Sequence, residues 1–107
     1  LKCDCIDSII VSSDSDLILG FATNFEGVLT LMRPKSLSTD DASSVEVLEH
    51  ATNEMKDQNF THVLYLEPTA PLRSTDTINR TIDALKNYKA TMTIVECDGI
   101  FRIMKKK

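Results

Sequence analysis

Apolar and polar positions fall along the chain in short blocks whose period keeps changing. Residues 6–12 carry the β-branched run Ile9-Ile10-Val11, continuous rather than alternating, which predicts a strand buried on both faces of a sheet and ending at Ser13-Asp14. Leu17, Phe21 and Phe25 then recur at four-residue spacing behind Ser13 and Asp16, which are spaced as a capping box. That pattern predicts a helix of about two to three turns with the apolar stripe as its inner face and Gly27 as its stop. Residues 28–32 predict a second short strand, closed by Arg33-Pro34, where the proline ring restricts Arg33 to extended backbone.

Beyond the polar stretch 36–40, Asp40 or Asp41 is placed to cap a second helix. Val45, Leu48, Ala51 or Thr52, and Met55 share one side of it, and it ends near Gln58 or Asn59. Residues 62–66 predict a third strand, Ser74 or Thr75 opens a third helix with Ile78, Ile82 and Leu85 inward, and residues 91–95 predict a fourth strand. Strand and helix alternate throughout, the order of a mostly parallel sheet covered on both faces, so the fold class is α/β, Rossmann-like, with three αβα layers. Such sheets bind ligands beyond the carboxyl ends of their strands. Ser13-Asp14, Arg33, residues 67–73 and Cys97-Asp98 each follow a predicted strand, so four polar clusters are expected at one edge.

A chain of 107 residues, 42% hydrophobic, suits a single domain over 1–107 with a modest core. Its formal net charge of -4 lacks the basic face that nucleic acid or an anionic membrane would require, and Lys105-Lys106-Lys107 reads as a solvated tail. With no apolar run near the ~18 residues that span a bilayer and no signal-peptide pattern, a soluble cytoplasmic protein is expected. Three cysteines form an odd set that favours reduced thiols, and Cys3 and Cys5 find no partners at metal-site spacing in His50, His62 or Cys97. No metal ligands are expected. The sequons Asn59-Phe60-Thr61 and Asn79-Arg80-Thr81 carry meaning only on an exported chain. Gly20, Gly27 and Gly99 are scattered, so the chain has no phosphate-cradling glycine loop.

Chemistry concentrates at three places. Pro68 and Pro71 fix two φ angles in the segment 66–73 and hold Glu67, Thr69 and Arg73 on a stiff turn. Glu67 suits an amino group such as the exocyclic amine of cytosine, or stands as a solvated carboxylate; Arg73 meets a ligand or neutralises Asp76. Arg33 offers a planar fork to carbonyl, carboxylate or phosphate oxygens, or else pairs with Asp40 or Asp41. Ala42-Ser43-Ser44 opens a helix whose unpaired amides favour an acceptor-rich ligand, and capping by Ser43 or Ser44 explains the same residues without one. His50 and His62 lack a nucleophile partner and read as structural. Asp14 and Asp16 fit helix capping as well as metal binding.

Arg33-Pro34 with Leu37-Ser38-Thr39-Asp40 and Ala42-Ser43-Ser44, followed in order by Pro68-Thr69 and Pro71-Leu72-Arg73, resembles the acylneuraminate cytidylyltransferases, the CMP-sialic acid synthetase family. The resemblance runs from Ile6 to about Val95, and Ile9-Ile10-Val11-Ser12-Ser13-Asp14 resembles that family's second strand and the turn after it. It implies a nucleotidyltransferase in which Arg33, Ala42 and Ser44 hold the cytosine and ribose of CTP, while Glu67, Thr69 and Arg73 line the sugar side. The implied reaction is attack by the anomeric hydroxyl of a nine-carbon acid sugar on the α-phosphate of CTP, with Mg²⁺ shielding charge and pyrophosphate leaving. Positioning and electrostatic stabilisation would carry it, with no covalent intermediate and no single catalytic residue evident in this chain.

Three departures accompany the resemblance. Glu67 stands where the family usually has glutamine and Ala70 where it usually has serine, and a carboxylate facing an acid sugar repels it unless a cation intervenes. The family's first strand and its basic, glycine-containing loop have no counterpart before Ile6, and its magnesium aspartates fall beyond Lys107. The chain is therefore expected to be an incomplete part of a longer parent, inactive alone, with any homodimer formed by that parent. Two other readings stay open: a non-catalytic nucleotide-binding or interaction module, and a nucleotidyltransferase for another sugar.

Overall fold

The computed structural model describes residues 6–69, 71–72 and 74–89. Strand β1 (Ile9–Ser13) and strand β2 (Val28–Met32) run parallel, in register from Ile9 beside Val28 to Ser13 beside Met32. Parallel neighbours need a crossover, and helix α1 (Asp16–Ala22) supplies it, packing on both strands. A 3-10 turn at Lys35–Leu37, helix α2 (Ser44–Glu54), a second 3-10 turn at Lys56–Gln58 and helix α3 (Thr75–Ala84) follow. The class is α/β, as predicted, and the βαβ unit fits part of a Rossmann-like nucleotidyltransferase fold. No helix among the described residues is long and apolar enough to cross a membrane.

The described residues divide into two compact units, Ser8–Leu66 and the set formed by residues 6–7 with those from Glu67 on. In the first, Ala22 and Val47 are the buried apolar side chains; in the second it is Ile78. Ile82 and Leu85 join Ile78 as half-buried neighbours on α3, as the spacing predicts. Ser74 caps that helix by accepting from the Thr77 N–H at 3.1 Å.

Several expectations are corrected. Residues 62–66 form no strand, and Val63, Tyr65 and Leu66 are exposed. Val, Leu and Tyr supply only a preference for a pleated surface, whereas a strand persists where a neighbour pairs its amides and carbonyls, and among the described residues none does so here. The predicted strand over 91–95 lies outside the described residues. Helix α1 is capped by Ser15, not Ser13: the Ser15 hydroxyl accepts from the Ile18 N–H at 3.4 Å, and Ser13 instead accepts from the Ser15 N–H at 3.2 Å. The stripe predicted to face inward is outside, with Leu17 84% and Phe21 66% exposed. Seven residues give α1 one narrow contact side, and Ala22, small enough for close approach to the strands, occupies it. Phe21 and Phe25 pack edge to face on each other, ring centroids 5.5 Å apart.

Gly27 does not stop α1, which ends at Ala22; its φ of 78° instead serves the turn into β2, a left-handed geometry that glycine adopts without a Cβ penalty. On α2 the cap is Ser43 rather than Asp40 or Asp41, and Val47 is the buried residue while Val45 lies outside. Leu48, Ala51, Thr52 and Met55 are half-buried, as the spacing predicts. The helical course finishes at Asn59, whose left-handed φ of 54° closes the 3-10 turn.

Candidate functional site

The carboxyl end of the β1–β2 pair brings two of the predicted clusters together. Arg33 follows β2 directly, and its N–H donates to the Ser13 carbonyl at 2.8 Å, so the parallel ladder runs one residue past the strand. Pro34, which has no N–H to donate, ends the ladder there. Arg33 is half-buried; its Nε is shielded from water and has no hydrogen-bond partner among the described residues. It forms no ion pair with Asp40 or Asp41, so that alternative for its charge is not realised.

From Pro34 the chain is held in a series of local turns. The Leu37 N–H donates to the Pro34 carbonyl at 3.0 Å, the Ser38 hydroxyl donates to the same carbonyl at 3.0 Å, and the Ala42 N–H donates to the Thr39 carbonyl at 3.1 Å. Ala42 has therefore committed its donor, and its carbonyl is what it can offer a ligand. At the start of α2, Ser43 and Glu46 close a capping box: the Ser43 N–H donates to Glu46 Oε2 at 2.9 Å, the Ser43 hydroxyl donates to the same oxygen at 3.0 Å, and the Glu46 N–H donates to Ser43 Oγ at 3.2 Å. The bonds from the Ser43 amide and then its hydroxyl hold the Glu46 carboxyl below its ordinary value of 4.5. With Ser43 doing the capping, the exposed hydroxyl of Ser44 is left out of it.

Glu67 and Thr69 belong to the second unit; both are exposed, Pro68-Thr69 forms a turn, and Glu67 has an interaction within the chain. Arg73, Cys97 and Asp98 lie outside the described residues. Asp76, weighed as a partner for Arg73, stands 3.9 Å from Arg80 one helical turn on. Among the described residues no three of His, Cys, Asp and Glu are gathered to hold a metal ion. These residues do not fit a magnesium site.

Sequence reasoning passed over Ser12. Its Oγ, like Arg33 Nε, is shielded and without a partner among the described residues, and a lone serine near a strand's end carries no pattern that would single it out.

A profile of the cytidylyltransferase family matches residues 1–104. The chain belongs to that family. It is 33% identical over 97 residues to the N-acylneuraminate cytidylyltransferase of Escherichia coli, a match covering 91% of this chain and 22% of the relative. It is 33% identical over 82 residues to a pseudaminic acid cytidylyltransferase of Campylobacter jejuni, covering 75% of this chain and 35% of that protein. With the CMP-N,N'-diacetyllegionaminic acid synthase of Legionella pneumophila it shares 27% identity over 88 residues, 80% of this chain and 38% of the relative. The chain thus spans roughly a fifth to two fifths of the length of these relatives.

Proposed function

We propose that the chain supplies the cytidine-binding part of an enzyme that transfers CMP from CTP to a nine-carbon, sialic-acid-like sugar with release of pyrophosphate, acting in the cytoplasm. The observation that carries this reading is Arg33, held at the carboxyl edge of two parallel strands by its bond to Ser13, with a shielded Nε that no group among the described residues satisfies. A buried guanidinium donor left unpaired is costly, and a ligand oxygen is the partner that would relieve it. Ala42, its N–H already used, presents an acceptor suited to the 4-amino group of cytosine and unsuited to the 4-carbonyl of uracil. Ser44, free of capping duty, offers its hydroxyl to the ribose or the base. Binding the base rigidly fixes where the α-phosphate stands relative to an incoming sugar hydroxyl, which is how such a site contributes to rate without a nucleophile of its own.

The relatives' names range over N-acylneuraminate, pseudaminic acid and N,N'-diacetyllegionaminic acid. Together with Glu67 they favour a second reading at finer grain, in which the acid sugar is other than sialic acid itself. Purified full-length protein carrying this chain should release pyrophosphate from CTP only when an acid sugar and Mg²⁺ are both supplied. Arg33→Ala should lower kcat/KM by about 2 kcal/mol, roughly thirtyfold, and Arg33→Lys should not restore it, because an ammonium lacks the planar fork. Glu67→Gln should change which sugar is preferred while leaving the KM for CTP in place. Full turnover by Arg33→Ala would remove the proposal's basis.

A further inference from the structure

Ser12 and Arg33 share a condition that the cytidine reading does not account for by itself. Ser12 Oγ in β1 and Arg33 Nε just past β2 are each shielded from water, and each lacks a hydrogen-bond partner among the described residues. The parallel register sets Ser12 beside Leu31. Arg33 stands two positions beyond Leu31, on a ladder that its own N–H continues to the Ser13 carbonyl. Side chains two apart along a strand share a face, so Ser12, Leu31 and Arg33 lie on the same side of the sheet. With about 3.3 Å per residue along a strand and about 4.8 Å between strands, the Cα atoms of Ser12 and Arg33 are about 8 Å apart, a span that one ligand atom can bridge from both sides.

We propose that Ser12 is a base-binding residue: Ser12 O–H and Arg33 Nε–H donate together to one acceptor oxygen, the 2-carbonyl of a pyrimidine. The proposal rests on the cytidine reading of Arg33 and adds a second donor to it. A carbonyl oxygen has two lone pairs in its plane and accepts two donors arriving from different strands, which a single serine or a single guanidinium does not exploit. The 2-carbonyl is common to cytosine and uracil, so this contact sets affinity for pyrimidines as a class. Choice between the two falls to the position-4 acceptor at Ala42.

Calorimetric titration of the chain with cytidine, uridine and inorganic pyrophosphate, on native protein, Ser12→Ala, Ser12→Thr and Arg33→Ala, tests it alongside thermal melts without ligand. Ser12→Ala should weaken cytidine and uridine by about tenfold alike and leave pyrophosphate unchanged, and Ser12→Thr, which keeps a hydroxyl and suits a strand, should bind as native. The ligand-free melting temperature of Ser12→Ala should equal or exceed that of native protein, because a shielded hydroxyl without a partner is removed. Native-like cytidine affinity in Ser12→Ala, with loss in Arg33→Ala, overturns the role of Ser12 and leaves the Arg33 reading standing. A loss confined to pyrophosphate assigns the oxygen to a phosphate and overturns the base contact. A lowered melting temperature with equal loss of all ligands marks a structural serine and overturns it too. Native protein that binds no pyrimidine overturns this proposal and the cytidine reading together.

Discussion

Ser43, Ser44 and Glu46 stand within four residues of one another, and the structure gives them different work. Ser43 and Glu46 satisfy each other's amides, so Ser43→Ala should cost about 1 kcal/mol in a urea melt, whereas Ser44→Ala should leave stability within about 0.5 kcal/mol and weaken cytidine binding instead. The cap is also pH-sensitive in a defined direction. Because the Glu46 carboxyl titrates below 4.5 in the folded chain, its contribution is complete above the unfolded carboxylate range and is lost as pH falls through the lower folded value. Urea melts of native protein and Glu46→Gln should therefore differ near neutrality and converge under acid. At this scale the position of Arg33 just past β2 was legible, because Pro34 after an apolar run marks where the strand must stop. Ser12 was not, since the role proposed for it depends on Arg33, two positions beyond its register partner Leu31.

The elements were legible where local chemistry decides them. Val28–Met32 matches its predicted strand, and the caps at Ser43 and Ser74 fall within a few residues of the predicted helix starts. Where several serines and aspartates crowd one turn, as at residues 12–16 and 38–44, side-chain chemistry alone does not rank them, and backbone geometry chose Ser15 and Ser43. The stretch 62–66 failed as a strand because pairing is a property of two segments and not of one. Helix α1 failed in its facing: four-residue spacing identifies a stripe, but the contact side was set by size at the strand surface. Leu17→Gln should accordingly change stability by less than about 0.5 kcal/mol, while Ala22→Leu should destabilise by about 1–3 kcal/mol through overpacking, both read by chemical denaturation.

Across the whole molecule, the carboxyl edge of β1 and β2 and the start of α2 belong to one compact unit, and the Glu67 to Thr69 turn belongs to another. The matched relatives are about two to four times as long as this chain, so how a sugar or a triphosphate would be held is a question for the full-length protein, while cytidine binding at the strand edge is a question this chain can answer. The most direct measurement is a ¹H–¹⁵N titration of the chain with CMP, following the Arg33 Nε–H resonance and the backbone amides. The Nε–H signal should move downfield and saturate as it gains a partner, together with the amides of Ser13, Ala42 and Ser44, while those of α3 stay still. An unmoved Arg33 Nε–H at saturating nucleotide, or shifts centred on α3, would contradict a cytidine site at the strand edge.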